Sequence, residues 1–297
     1  MLPGAAAGMN IDLSIAIALG STVFFALGLI LTQYGLRYMG PFSGATISVP
    51  TTTLLCWLAS PWVLDASQWN WRATGFFAAV GLFYPGVVSL LTFEAGRRMG
   101  ATITGTVGST APFFAIIAAI VFLGERVTLL GGIAVAAIIG GVVLLTWQPR
   151  GLPRQWSRRD LLLPIGGAVL RGVAQAVLKL GFLSWPNPFA AGLVGYTLSS
   201  AVVTAGVRLH EGRTGFALDR KGIAWFALVG VSNGIATFAL YVALSYGSVT
   251  IVAPLVATYP LFTMLLGAAL LHNERITVAR LAGVAATVAG VVLLLVR

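Results

Sequence analysis

Apolar residues in this chain recur in blocks of about twenty, and ten such blocks can be marked: 13–36, 42–64, 73–95, 101–123, 128–147, 161–184, 189–208, 222–245, 248–271 and 278–296. A block of that length matches a hydrocarbon core about 30 Å thick at about 1.5 Å of rise per helical residue. Lipid offers backbone N–H and C=O groups no partners, so each block must be a helix. Connections as short as Gly124-Glu125-Arg126 and Tyr246-Gly247-Ser248 make consecutive helices antiparallel. Charge agrees with this reading. Only 9% of the 297 residues are charged, against about a quarter in soluble domains, so this surface could not be kept wet. The chain reads as one membrane-embedded all-α body. Its first block is expected to be a retained span, because no basic residue precedes it.

The blocks repeat. The stretch 100–128, ending in Gly124-Glu125-Arg126-Val127-Thr128, resembles 247–277, ending in Asn273-Glu274-Arg275-Ile276-Thr277. Pro112 answers Pro260, Gly86 answers Gly234, and Thr51-Thr52-Thr53 aligns with Ser199-Ser200-Ala201. The chain divides into halves 1–150 and 151–297, five helices each. Five crossings is an odd number, so the second copy must be inverted, which is the architecture many secondary transporters use for alternating access.

Five helices twice, a proline-bearing fourth helix running into Gly-Glu-Arg, and a small-residue fifth helix together resemble the EamA family of the drug/metabolite transporter superfamily, over essentially the full chain. The resemblance implies a ten-helix basket with a central cavity between the halves. It also implies movement of amino acids and related metabolites, commonly outward, across a bacterial inner membrane.

The net charge of +10 would raise nucleic acid in a soluble protein, but no basic stripe with interleaved aromatics exists. Thirteen Lys and Arg fall in loops after odd-numbered spans, among them Arg37, Arg97, Arg98, Arg158 and Arg159. Three (Arg72, Arg126, Arg297) fall on the other side. The positive-inside rule then puts both termini outside.

Ionisable residues at membrane depth are costly and mark function by default. Arg171, Gln175 and Lys179 share one face of span six at i, i+4 and i+8. A lipid-facing stripe of this kind would be very unfavourable, so it is expected to line a cavity. Arg171 carries a fixed fork of donors suited to a carboxylate or phosphate; its structural alternative is to bond carbonyls freed by prolines, and Lys179 could instead snorkel. Asn233 and Tyr84 lie near mid-depth, and Tyr196 and Tyr259 complete the candidate substrate-binding set. Glu94 is expected to pair locally with Arg97 and Arg98. Glu125 and Glu274 are read either as gate charges or as parts of tight interfacial turns, with Thr128 and Thr277 capping the helices that follow.

No nucleophile with a base, no paired carboxylates and no metal cluster can be assembled, and Cys56 stands alone, so an enzyme, a cofactor and a metal are not expected. Acidic residues and His are nearly absent from the spans, which disfavours a proton relay and favours a facilitator. The leading reading is a secondary transporter of small metabolites, amino acids first. Its alternatives are sugar phosphates or nucleotide-linked compounds, a proton-coupled antiporter, and a channel or scaffold subunit. A monomer is expected. The stripes Gly132, Ala136, Gly140 and Ala282, Ala286, Gly290 are read as internal packing, with a homodimer seam as the other use.

Overall fold

A computed structural model describes residues 3–146, 157–211, 219–271 and 278–295. The described residues form twelve α-helices: α1 (Pro3–Gly35), α2 (Pro41–Val63), α3 (Trp71–Gly81), α4 (Gly86–Gly108), α5 (Ala111–Leu123), α6 (Leu129–Thr146), α7 (Leu162–Ser184), α8 (Pro188–Glu211), α9 (Arg220–Tyr246), α10 (Val249–Val256), α11 (Tyr259–Leu271) and α12 (Val278–Leu295). Seven segments are long and apolar enough to cross a membrane, and three shorter apolar helices, Ala111–Leu123, Leu129–Leu144 and Leu281–Leu294, fall in the remaining expected blocks. The protein is an all-helical integral membrane protein.

Helix ends follow local chemistry. Asn70 caps α3 by accepting from the Ala73 N–H at 3.0 Å, and Asp219 caps α9 by accepting from Lys221 and Gly222. Thr128 accepts from the Gly131 N–H at 3.1 Å, as expected of a cap. Gly124 ends α5 with φ of 64°, a left-handed conformation that a Cβ would strain. This explains the glycine of Gly-Glu-Arg. Asn273, the residue at the equivalent place, is the next most tolerant type there. Asn273, Glu274, Arg275 and Thr277 lie outside the described residues.

Two breaks differ from the expected spans. Span three is split into α3 and α4 at residues 82–85, because Pro85 has no N–H to give to the helical ladder. Helical bonding then runs on past Met99 to Gly108, and the chain breaks instead at Ser109-Thr110, just before Pro112 enters the first turn of α5.

The packing pattern maps onto itself when the halves are exchanged. α1 packs on α9, and its counterpart α7 packs on α3 and α4. α2 packs on α9 as α8 does on α3, α5 on α7 as α11 does on α1, while the pairs α6–α12 and α2–α8 map onto themselves. Matching seams hold the crossings. Thr52 Oγ1 donates to the Gly230 carbonyl at 2.6 Å, and Ser199 Oγ donates to the Gly81 carbonyl at 2.7 Å. A Cβ on Gly81 would sit 2.9 Å from the Gly195 oxygen, and one on Gly230 would overlap the Ser48 oxygen, so glycine is what lets these backbones meet.

α6 and α12 also pack directly, but not through both expected stripes. Gly290 abuts Ala134 and Ile138, whereas on α6 it is Gly141, against Thr287, that makes the close approach; Gly132 and Gly140 face open space. The helix presents position 141 and not 140 inward, a difference of one residue that rotates the contact by about 100°.

Apolar side chains form two clusters along the bundle. Phe77, Leu178, Phe182 and Tyr241 are buried toward one end, and Met39, Phe93, Val207 and Phe226 toward the other. Trp57, Trp62, Trp71, Leu129 and Val278 point outward, where lipid takes them.

Candidate functional site

Between the two apolar clusters lies a cavity of about 120 Å³, counted as the volume open to the centre of a water molecule. A water needs about 10–15 Å³ on that measure, so the space takes on the order of ten waters, or one organic molecule of amino-acid size. Arg171, Gln175, Asn233, Tyr84, Tyr196 and Tyr259 all line it. They come from α7, α9, the break before α4, α8 and the start of α11, so no one helix makes the site. A smaller void of about 30 Å³ shares Arg171, Thr32, Thr92 and Tyr259 with the cavity. It carries the space toward Pro164 on α7 and toward the exposed Gln33 near the end of α1. That is the end of the molecule bearing Arg37, Arg97 and Arg98.

Lys179 does not line the cavity. Its Nζ donates to the carbonyls of Leu244 at 2.8 Å and Gly247 at 2.7 Å. The last carbonyls of a helix have no intrahelical partner and carry the negative end of its dipole, so a half-buried ammonium is well placed there. The eight residues between Arg171 and Lys179 span about 12 Å, which separates cavity from helix end. Glu125 completes the arrangement. Its two oxygens accept from the N–H groups of Val249 and Thr250, both at 2.9 Å, at the start of α10. Ser14 donates to the Ala243 carbonyl at 2.9 Å. Two helices, α1 and α7, and the loop between α5 and α6 thus hold the turn between α9 and α10, and this end of the cavity is shut. Glu125 is neither free nor merely an interfacial anchor.

Arg171 sits nine residues, or about 14 Å, into α7. It is half-buried and has no hydrogen bond or ion pair among the described residues. Gln175, one turn on, is 3% exposed, and its Oε1 has no hydrogen-bond partner. The Asn233 amide lies directly over Gly28 of α1, in space that a Cβ there would take. Tyr196 donates to Thr237 Oγ1 at 3.0 Å, which pins the phenol at the wall. Sequence reasoning missed Gly28 and Thr237; neither has a sequence signal apart from the neighbour it meets across the fold.

Of the eight acidic residues, six have described side chains, and none of these lines the cavity. Glu94 pairs with Arg97 and Arg98 as expected, Asp160 also takes Arg98 at 2.9 Å, and Glu125 and Asp219 cap helices. Asp12 and Asp65 are exposed at chain ends and turns. Among the described residues no group of His, Cys, Asp and Glu could hold a metal ion.

Membrane-length helices packed in two exchangeable sets around a mostly apolar cavity with a few convergent polar side chains are the architecture of a membrane transporter. The chain belongs to the EamA-like transporter family, which it matches twice, over residues 12–147 and 159–296, in keeping with the drug/metabolite transporter superfamily. Members of this family are transporters rather than enzymes. No curated protein sequence matches the chain. Among solved structures, one described only as "Crystal structure of protein" superposes with a TM-score of 0.70 at 16% identity, covering 97% of this chain and 96% of that one. At that identity the likeness carries the fold alone.

Proposed function

We propose that this protein is a secondary transporter that moves small organic metabolites of amino-acid size across a bacterial inner membrane, amino acids being the first class to test. The carrying observation is Arg171: a cation without a hydrogen-bond or ion-pair partner among the described residues, lining a cavity that is shut at one end and continues toward the other. On this reading the chain crosses the membrane ten times, in two inverted halves, 1–150 and 151–297, that rock about the site. The self-mapping packing and the paired hydroxyl–glycine seams support two equivalent halves. Substrate would meet Arg171, Gln175 and Asn233 at its polar end and Tyr84, Tyr196 and Tyr259 along its body.

None of the six described acidic side chains lines the cavity, which supports a facilitator over proton exchange. Counterflow in liposomes tests this. Vesicles loaded with one unlabelled metabolite at a time should take up labelled metabolite saturably, at a rate indifferent to an imposed pH gradient. Uphill accumulation driven by protons would sink the facilitator reading, and absence of counterflow with any metabolite would sink the transporter reading.

Orientation follows from the thirteen-to-three distribution of basic residues. The Arg-rich end would be cytoplasmic and the termini outside. Cys56 is buried, so single-cysteine labelling is clean. In intact cells an impermeant maleimide should modify Ser67→Cys and spare Ser157→Cys. The opposite pattern would reverse the orientation.

A further inference from the structure

We infer that the cavity is built for a small monocarboxylate carrying a neutral hydrogen-bond donor beside the carboxylate, that is a 2-hydroxy acid, in preference to the amino acid of the same skeleton. The inference rests on the transporter reading of the same site. It comes from charge balance and from one orphaned atom.

Arg171 contributes one positive charge, and no described carboxylate lines the cavity to offset it. A hydroxy acid at neutral pH carries one negative charge and brings the site to neutrality. An amino acid is a zwitterion. Its carboxylate would satisfy Arg171, but its ammonium would enter a mostly apolar cavity as a second cation, with no described carboxylate lining the cavity to pair it. Burying an unpaired charge is among the costliest arrangements in a protein interior.

Gln175 supplies the second half of the argument. Its Oε1 is buried and accepts nothing, and such an acceptor costs free energy until a donor arrives. Gln175 follows Arg171 by four residues on α7, so the two side chains emerge as neighbours about 5–6 Å apart. A carboxylate and the hydroxyl on its adjacent carbon present an acceptor pair and a neutral donor side by side, as the two neighbouring side chains require. The carboxylate would take the Arg171 fork, and the Gln175 amide, whose Oε1 has no hydrogen bond to lose, would turn to bring that oxygen to the ligand hydroxyl. The rest of the ligand would lie on the rings of Tyr84, Tyr196 and Tyr259. No bond is made or broken in the process.

The test is competitive counterflow in liposomes at pH 7 with phenyllactate, phenylalanine and 3-phenylpropionate, on the full chain and on Gln175→Leu, with thermal melting to show that both are folded. Wild type should prefer phenyllactate over phenylalanine by at least about tenfold, and over the deoxy acid by about three- to tenfold, the worth of one hydrogen bond. In Gln175→Leu the preference over 3-phenylpropionate should fall to about one. Phenylalanine bound as well as or better than phenyllactate would overturn the inference and leave the transporter reading standing. So would a hydroxy-over-deoxy preference that survives in Gln175→Leu. Counterflow of some other metabolite, with neither acid competing, would overturn it in the same way. A protein that counterflows nothing would bring down the transporter reading itself.

Discussion

Replacing Arg171 with Ala should lower apparent substrate affinity by about 10–100-fold in counterflow, the worth of a charge-assisted hydrogen-bond pair of about 1.5–3 kcal/mol. The protein should still insert and fold. Arg171 has no partner among the described residues that its removal would strand, and losing an unpaired cation relieves a desolvation cost. Arg171→Lys should recover part of the loss, because an ammonium supplies the charge without the planar fork. The discriminating readout is the pair of melting temperature and half-saturation concentration. A melting temperature that falls together with transport would make Arg171 a structural residue that bonds freed carbonyls. Unchanged half-saturation in Arg171→Ala would remove it from the site.

Gly172→Ala should destabilise the fold although it adds a single methyl group. The new Cβ would lie 2.6 Å from the Ala115 nitrogen, 2.8 Å from the Phe114 Cβ and 2.9 Å from the Ala111 oxygen. Two of these three are backbone atoms of α5 and cannot rotate away, so α7 must move off α5. Overpacking of this kind costs about 1–3 kcal/mol or more, against about 1 kcal/mol gained from helix propensity. Gly166→Ala, on the same helix, is the control. Its Cβ would make an ordinary contact of 3.7 Å with Leu91, so only the propensity gain remains. The propensity gain is common to both, so the two variants should differ by the overpacking cost, about 1–3 kcal/mol, or about 2–12 °C in melting temperature for a chain of this size. Because Arg171 precedes Gly172, the displaced helix should also weaken substrate affinity. Equal melting temperatures for the two variants would show that the α5–α7 contact is looser than described.

The reading of the chain as a membrane-embedded helical body followed from composition and block length. These properties are summed over many residues, so no single error in placement could change the outcome. The family resemblance was legible for the same reason, since length, repeat and the Gly-Glu-Arg phrase are all visible along the chain. Six of the seven candidate site residues do meet at one cavity. The signal there was cost: Arg, Gln and Asn at membrane depth have to be sheltered somewhere.

What the sequence leaves open is which neighbour a side chain meets across the fold. Lys179 shares a face with Arg171 and Gln175, yet twelve ångströms of rise carry it to the end of α9, where two carbonyls take its protons. Glu125 could be a gate charge or a headgroup anchor by its position alone; only the arrival of α10, 124 residues later, shows whose N–H groups it holds. The alignment set Ser199 opposite Thr51, whereas the structure gives the matching bond to Thr52. Gly141 and not Gly140 meets α12. By itself the sequence determined which segments are buried in lipid and which polar groups need a partner, because hydrophobicity and charge are properties of the residue. Only the tertiary structure decided which partner each group finds. Hydrogen bonds and steric contacts act over about 3 Å, and one residue's turn of a helix, about 100°, is enough to exchange one neighbour for another.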